Sequence, residues 1–146
     1  MKYTCEIVIE SPRDRVVELF DSTDNLFKWM QGLKSFEHLE GEPGQPGAKS
    51  RLVFERGSGE LEMIETVAVR DLPDVFAGSY EADHAWNGMV NRFVEEGPDR
   101  TRWITENEFK FTGIWRFVSL VLRPMFPKQT MKSMRAFKEF VEAEGK

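Results

Sequence analysis

A chain of 146 residues is the usual size of one domain and is long enough to bury a real core. Its 40% hydrophobic and 31% charged content excludes a disordered chain. The formal charge of −5 argues against nucleic acid, whose phosphates need a concentrated basic surface.

From the N-terminus, Tyr3, Cys5, Ile7 and Ile9 alternate with Lys2, Thr4, Glu6 and Glu10, the pattern of a strand with one buried face. Ser11 and Pro12 then read as the N-cap and first residue of a helix carrying Val16, Val17, Leu19 and Phe20. Thr23 or Asp24 caps a second short helix with Leu26, Phe27, Trp29 and Met30, ended by Gly32. Residues 33–41 form a strand, and Pro43, Gly44, Pro46 and Gly47 fill the turn that follows. Residues 49–56 place Leu52 and Phe54 on one face, and Gly57-Ser58-Gly59 reverses the chain as a hairpin turn. Leu61, Met63, Val67 and Val69 continue with period two. Strands over 75–82, 86–95 and 101–111 complete a set of seven, and their short connections require an antiparallel meander.

The ending changes character. Residues 114–122 are almost wholly apolar, with Phe117, Leu120 and Val121 on one helical side and Trp115, Val118 and Leu122 on another. A surface helix shows one apolar stripe. Two stripes are read first as a lid over a cavity, second as a homodimer contact and third as membrane contact, with Arg116 and Arg123 at headgroup level. Beyond Pro127, Met131, Met134, Phe137 and Val141 recur at steps of three and four, the stripe of one long helix. Residues 109–146 hold 8 Lys/Arg against 3 Asp/Glu, leaving −10 on residues 1–108; a solvated helix face accounts for this.

The expected organisation is one α+β domain over residues 1–146, with a curved seven-stranded sheet covered by the last helix. Such a sheet is hard to fill with side chains alone. The faces assigned inward carry Met30, Met63, Met89, Met125, Met131 and Met134, and methionine suits sites that accept varied shapes. The expected lining of a ligand cavity is Trp29, Met30, Leu52, Phe54, Met63, Tyr80, Met89, Trp103, Thr105, Asn107, Phe109, Met131, Met134 and Phe137.

The chain resembles the SRPBCC superfamily with its START-like, helix-grip fold, and within it the polyketide cyclase/dehydrase group. Glu10-Ser11-Pro12 opens the first helix, and Trp29 precedes a strand beginning Gly32-Leu33-Lys34-Ser35-Phe36-Glu37. The Pro/Gly turn of residues 42–47 leads into Arg51-Leu52-Val53-Phe54. The tail runs from Phe109-Lys110-Phe111-Thr112-Gly113 to Phe137-Lys138-Glu139-Phe140. The resemblance implies a cavity between sheet and long helix, holding in many members a lipid, sterol, quinone or polyketide.

No nucleophile elbow, phosphate loop or zinc motif is present, and no cofactor or metal is expected. The single Cys5 reads as a buried, inert thiol in a reducing cytoplasm. No run reaches the ~18 apolar residues of a spanning helix, and Glu6 and Glu10 fall where a signal peptide needs an apolar stretch. His38 and His84 read as surface histidines beside carboxylates. Parity puts Trp103, Thr105, Asn107 and Phe109 inward and Glu106 and Glu108 outward, leaving Thr105 and Asn107 as orienting groups with no inward acid. The leading reading is therefore a carrier or sequestering protein for a hydrophobic small molecule. A cyclase or dehydratase acting on an aromatic substrate is the second reading, and a quinone or lipid chaperone at a membrane the third.

Overall fold

The computed structural model describes residues 1–144. Its elements are β1 (Lys2–Ile9), α1 (Arg13–Phe20), α2 (Thr23–Trp29), β2 (Leu33–Glu40), β3 (Lys49–Arg56), β4 (Gly59–Asp71), β5 (Val75–Ala82), β6 (Ala85–Gly97), β7 (Arg100–Phe111), α3 (Trp115–Leu122) and α4 (Met125–Glu144). One seven-stranded sheet runs in the order β1-β7-β6-β5-β4-β3-β2, antiparallel throughout. Hairpin connections make the meander from β2 to β7. The two short helices carry the chain from β1 across to β2, which is why the first strand pairs with the last.

Element ends fall within a residue or two of the sequence reading, as capping chemistry allows, except that α4 begins at Met125, ahead of Pro127. Pro12, not Ser11, occupies the N-cap of α1, and Ser22 takes that position in α2. Ser11 is instead buried, its carbonyl accepting 2.8 Å from the Thr101 hydroxyl across the sheet end.

The sheet curves through bulges, one of them between Val67 and Val69 on β4. It corrects the expected period: Val67 is buried facing in, whereas Val69 turns outward at 45% exposure and Arg70 takes the inner face. Opposite the bulge sits Gly78, where a Cβ would stand 2.6 Å from the Thr66 carbonyl oxygen. Only glycine lets the backbones approach so closely. Gly78→Ala is expected to cost about 1–3 kcal/mol, the range for forcing atoms into a filled site. Urea unfolding measures it, and an unchanged midpoint would show that the two strands part freely.

Helix α4 lies against β1 and α2. Its Met134, Phe137 and Val141 are buried, as the stripe requires, together with Ile9, Val16, Phe93 and Trp103. Phe137 sits at the centre, with ring centroids 4.9 Å from Trp29, 5.1 Å from Trp103 and 5.8 Å from Phe20. Polar ties fix the helix along β1. The Lys138 ammonium donates to the Val8 carbonyl at 2.8 Å, Tyr3 and Thr130 share a hydroxyl hydrogen bond of 2.7 Å, and the Glu142 carboxylate accepts from the Glu10 N–H at 2.8 Å. Cys5 is buried, its thiol 3.9 Å from the Pro127 carbonyl, and burial raises its pKa above the ordinary thiol value. That is the setting of an inert cysteine.

Candidate functional site

Because α4 crosses one side of a strongly curved sheet, the sheet and helix do not meet everywhere. The gap is a cavity of about 470 Å³, within the range of small-molecule sites. Its walls come from α1–α2 (Phe20, Leu26, Trp29, Met30), the sheet interior (Glu65, Phe76, Tyr80, Met89, Trp103) and one side of α4 (Gln129, Thr130, Ser133, Met134).

Of the fourteen residues expected there, Trp29, Met30, Tyr80, Met89, Trp103, Thr105, Asn107 and Met134 line the cavity. The other six lie elsewhere, each for a physical reason. Leu52 is fully buried on the inner face of β3, opposite Phe36 on β2 and Met63 on β4. Phe54 pairs with Leu33 and Leu61, farther along the same hairpin. The cavity touches β3 and β4 only near Ala48, Ser50, Glu65 and Val67, so Leu52, Phe54 and Met63 face the correct way but lie beyond its end. Phe109 is spent on an aromatic stack with Tyr3, Phe111 and Phe126 beneath the start of α4. Met131 packs against the core, and Phe137 is its centre with no exposure at all. Met125, also assigned inward, is 60% exposed. The lining therefore holds three methionines, fewer than the sequence suggested, and more polar groups.

Those polar groups form two sets. On β6 and β7, strand parity places Asn87, Asn91, Thr105 and Asn107 inward. The Asn87 amide donates to Asn107 Oδ1 at 3.3 Å, and Asn107 donates to the Thr105 hydroxyl oxygen at 3.2 Å. Asn91 Oδ1 accepts the Trp103 indole N–H at 3.0 Å, orienting that ring. Trp29 differs: it is 5% exposed and its Nε1–H has no partner among the described residues. A buried, unpaired donor in a cavity wall is a group that a ligand acceptor would satisfy.

The second set overturns the expectation of no inward acid. Glu65 on β4 lies directly across from Tyr80 on β5, both line the cavity, and the Tyr80 hydroxyl donates to the Glu65 carboxylate. Burial raises the Glu65 pKa above the ordinary carboxylate value, and the hydrogen bond from Tyr80 opposes it in part. Burial, then the neighbouring Glu65 charge, holds the Tyr80 phenol well above its ordinary pKa. Glu65 was legible in principle: it falls between Met63 and Val67 on the inward parity of β4.

Glu106 and Glu108 point outward as parity required, facing Arg92 at 3.1 Å and Lys2 at 3.8 Å. His84 occupies the β5–β6 turn away from the cavity, beside Thr112. His38 does reach the cavity wall, its Nε2 2.7 Å from the Gly41 carbonyl. At the rim, Arg70 donates to both Asp21 oxygens at 2.8 and 2.5 Å and to the Gly44 carbonyl at 3.3 Å. One guanidinium thereby ties the α1–α2 junction and the β2–β3 turn to β4.

In sequence, no family model and no curated protein matches this chain. In structure the likeness spans the whole molecule. A protein of Thermus thermophilus superposes with a TM-score of 0.81 at 17% identity, covering 100% of both chains. The Zhui aromatase/cyclase of a Streptomyces species gives 0.84 at 13%, covering 100% of this chain and 96% of that one. A norcoclaurine synthase point mutant from Thalictrum flavum, in complex with a transition-state analogue, gives 0.75 at 11%, covering 100% and 96%. These are likenesses of fold. The chain is a helix-grip protein, as the resemblance implied, with an interior cavity under its long helix.

Proposed function

We propose that this protein binds one small, mainly apolar molecule in the cavity, as a carrier or sequestering protein. The carrying observation is the cavity itself, about 470 Å³ walled by Phe20, Leu26, Trp29, Met30, Phe76 and Trp103. Apolar walls with a few convergent polar groups are how small-molecule sites combine affinity with orientation. The polar set narrows the ligand class. A pure hydrocarbon would leave the Trp29 N–H and the Glu65–Tyr80 pair unanswered, so the ligand carries oxygen acceptors at its apolar frame, as quinones, sterols and polyketide-like phenols do.

Trp29 and Trp103 both line the wall, so ligand capture reports itself in tryptophan emission. Titration with quinones, sterols, fatty acids and polyphenols is expected to change that emission and raise the melting temperature. A ligand at a hundred times its Kd stabilises by about 2.7 kcal/mol. Native mass spectrometry of protein from its own host should show a retained molecule. A chain that purifies empty and is stabilised by none of these classes would sink the reading.

One observation favours a second reading, a cyclase or dehydratase acting on an aromatic or polyketide-like substrate. Glu65 gives the cavity a titratable group whose raised pKa suits proton transfer nearer neutrality. As carboxylate it would take a proton from carbon beside a carbonyl, and Tyr80, kept protonated, would donate to the resulting enolate oxygen. Turnover lost in Glu65→Gln with ligand affinity retained would support this reading. Equal turnover in both forms would remove it.

A further inference from the structure

Helix α3 presents an apolar face that none of the described residues covers. Val118, Ser119 and Leu122 form the side turned to the protein, with Ser119 buried, Trp115 45% exposed at its edge and α3 resting on β7. The opposite side carries Phe117, Leu120 and Val121 at 69%, 65% and 81% exposure, with Ile114 just before the helix at 72%. Solvated helices do not turn their largest apolar side chains to water. The sequence reading of a lid does not hold, because no residue of α3 lines the cavity.

Charge says what covers this face. Residues 109–138 hold seven Lys/Arg and no Asp or Glu, so the rest of this acidic chain carries −12. Ten of the twelve other described Lys and Arg residues stand within ion-pair distance of a carboxylate. In this segment only Lys138 does; Lys110, Arg116, Arg123, Lys128, Lys132 and Arg135 pair with none among the described residues. At 3.6 residues per turn, Arg116 and Arg123 stand about 100° and about 120° round the helix from Phe117 in the same sense, along one border of the apolar side. Lys128 lies on the first turn of α4, next to the exposed Met125.

We propose that α3 with its basic rim docks this protein on an anionic lipid surface, apolar side down among the acyl chains and Arg116, Arg123 and Lys128 at the phosphates. An in-plane helix with an apolar face and cations along its border is the form that interfacial binding takes. A second copy fits less well: joining two such faces would press cation on cation with no carboxylate to meet them. The inference stands on the outer surface of α3 and is independent of what the cavity holds.

Vesicle flotation tests it. Vesicles of equal parts phosphatidylcholine and phosphatidylglycerol are expected to carry the protein, while phosphatidylcholine alone carries far less. Each cation lost in Arg116→Gln/Arg123→Gln should weaken partition about fivefold, and Phe117→Gln/Val121→Gln about tenfold or more. Both variants should keep the wild-type melting temperature, since all four side chains are exposed. The proposal is overturned if phosphatidylglycerol gives no gain over phosphatidylcholine. Partition unchanged in Phe117→Gln/Val121→Gln also overturns it, as does light scattering that finds a dimer which this variant abolishes and vesicles do not compete away.

Discussion

Replacing Phe137 by Ala is expected to remove about 3–5 kcal/mol of stability, the range for truncating a buried aromatic ring. The site has no slack. Phe137 is fully buried and its ring meets Phe20, Trp29, Trp103 and Phe140, each held by neighbours of its own. Four surrounding aromatics cannot collapse into the space without leaving their rotamers, so the void persists and its cost adds to the lost transfer energy. At roughly 2–4 °C per kcal/mol for a chain somewhat larger than 146 residues, the melting temperature should fall by about 10 °C or more. Phe137 is also the contact through which α4 holds Trp29 and Trp103, two walls of the cavity, so ligand affinity should weaken with it. A fall below about 1 kcal/mol in urea unfolding would mean that α4 is not seated as described.

Glu65→Gln should stabilise the protein at pH 8 and leave it unchanged near pH 4. An acid whose pKa is raised on folding binds its proton more tightly in the native state than in the unfolded one. Below the unfolded value of about 4.3 both states are protonated and no penalty exists. As pH rises, the unfolded carboxyl ionises first while the native one resists. The wild type therefore loses stability across the interval up to the raised native pKa, and above it the full penalty remains. Gln cannot ionise, yet keeps an oxygen to accept from Tyr80, so the variant escapes the loss. The difference between the two melting curves isolates this group from every other carboxylate. Curves that stay parallel from pH 4 to pH 8 would show Glu65 to be solvated and not a cavity group.

Sequence alone determined much of this protein, because much of it is local. Period-two alternation placed Trp103, Thr105, Asn107 and Phe109 on one face of β7, and Glu106 and Glu108 on the other, since side-chain direction in a strand is set by the residue count. The same count put Glu65 inward. Alternation traced through apolar residues alone does not register it, because an unpaired carboxylate pointing into a core is costly and so is not expected there. What tertiary structure decided was position along a face. Leu52, Phe54 and Met63 share the inner surface with Glu65, but where α4 lies over the bent sheet determines which of them meets open space. The bulge at Val67 shifted the register, turned Val69 to solvent and brought Arg70 to Asp21. Helix α3 shows the two levels together. Its two apolar sides were plain in the sequence, whereas which side would be left facing water depended on how it settled against β7.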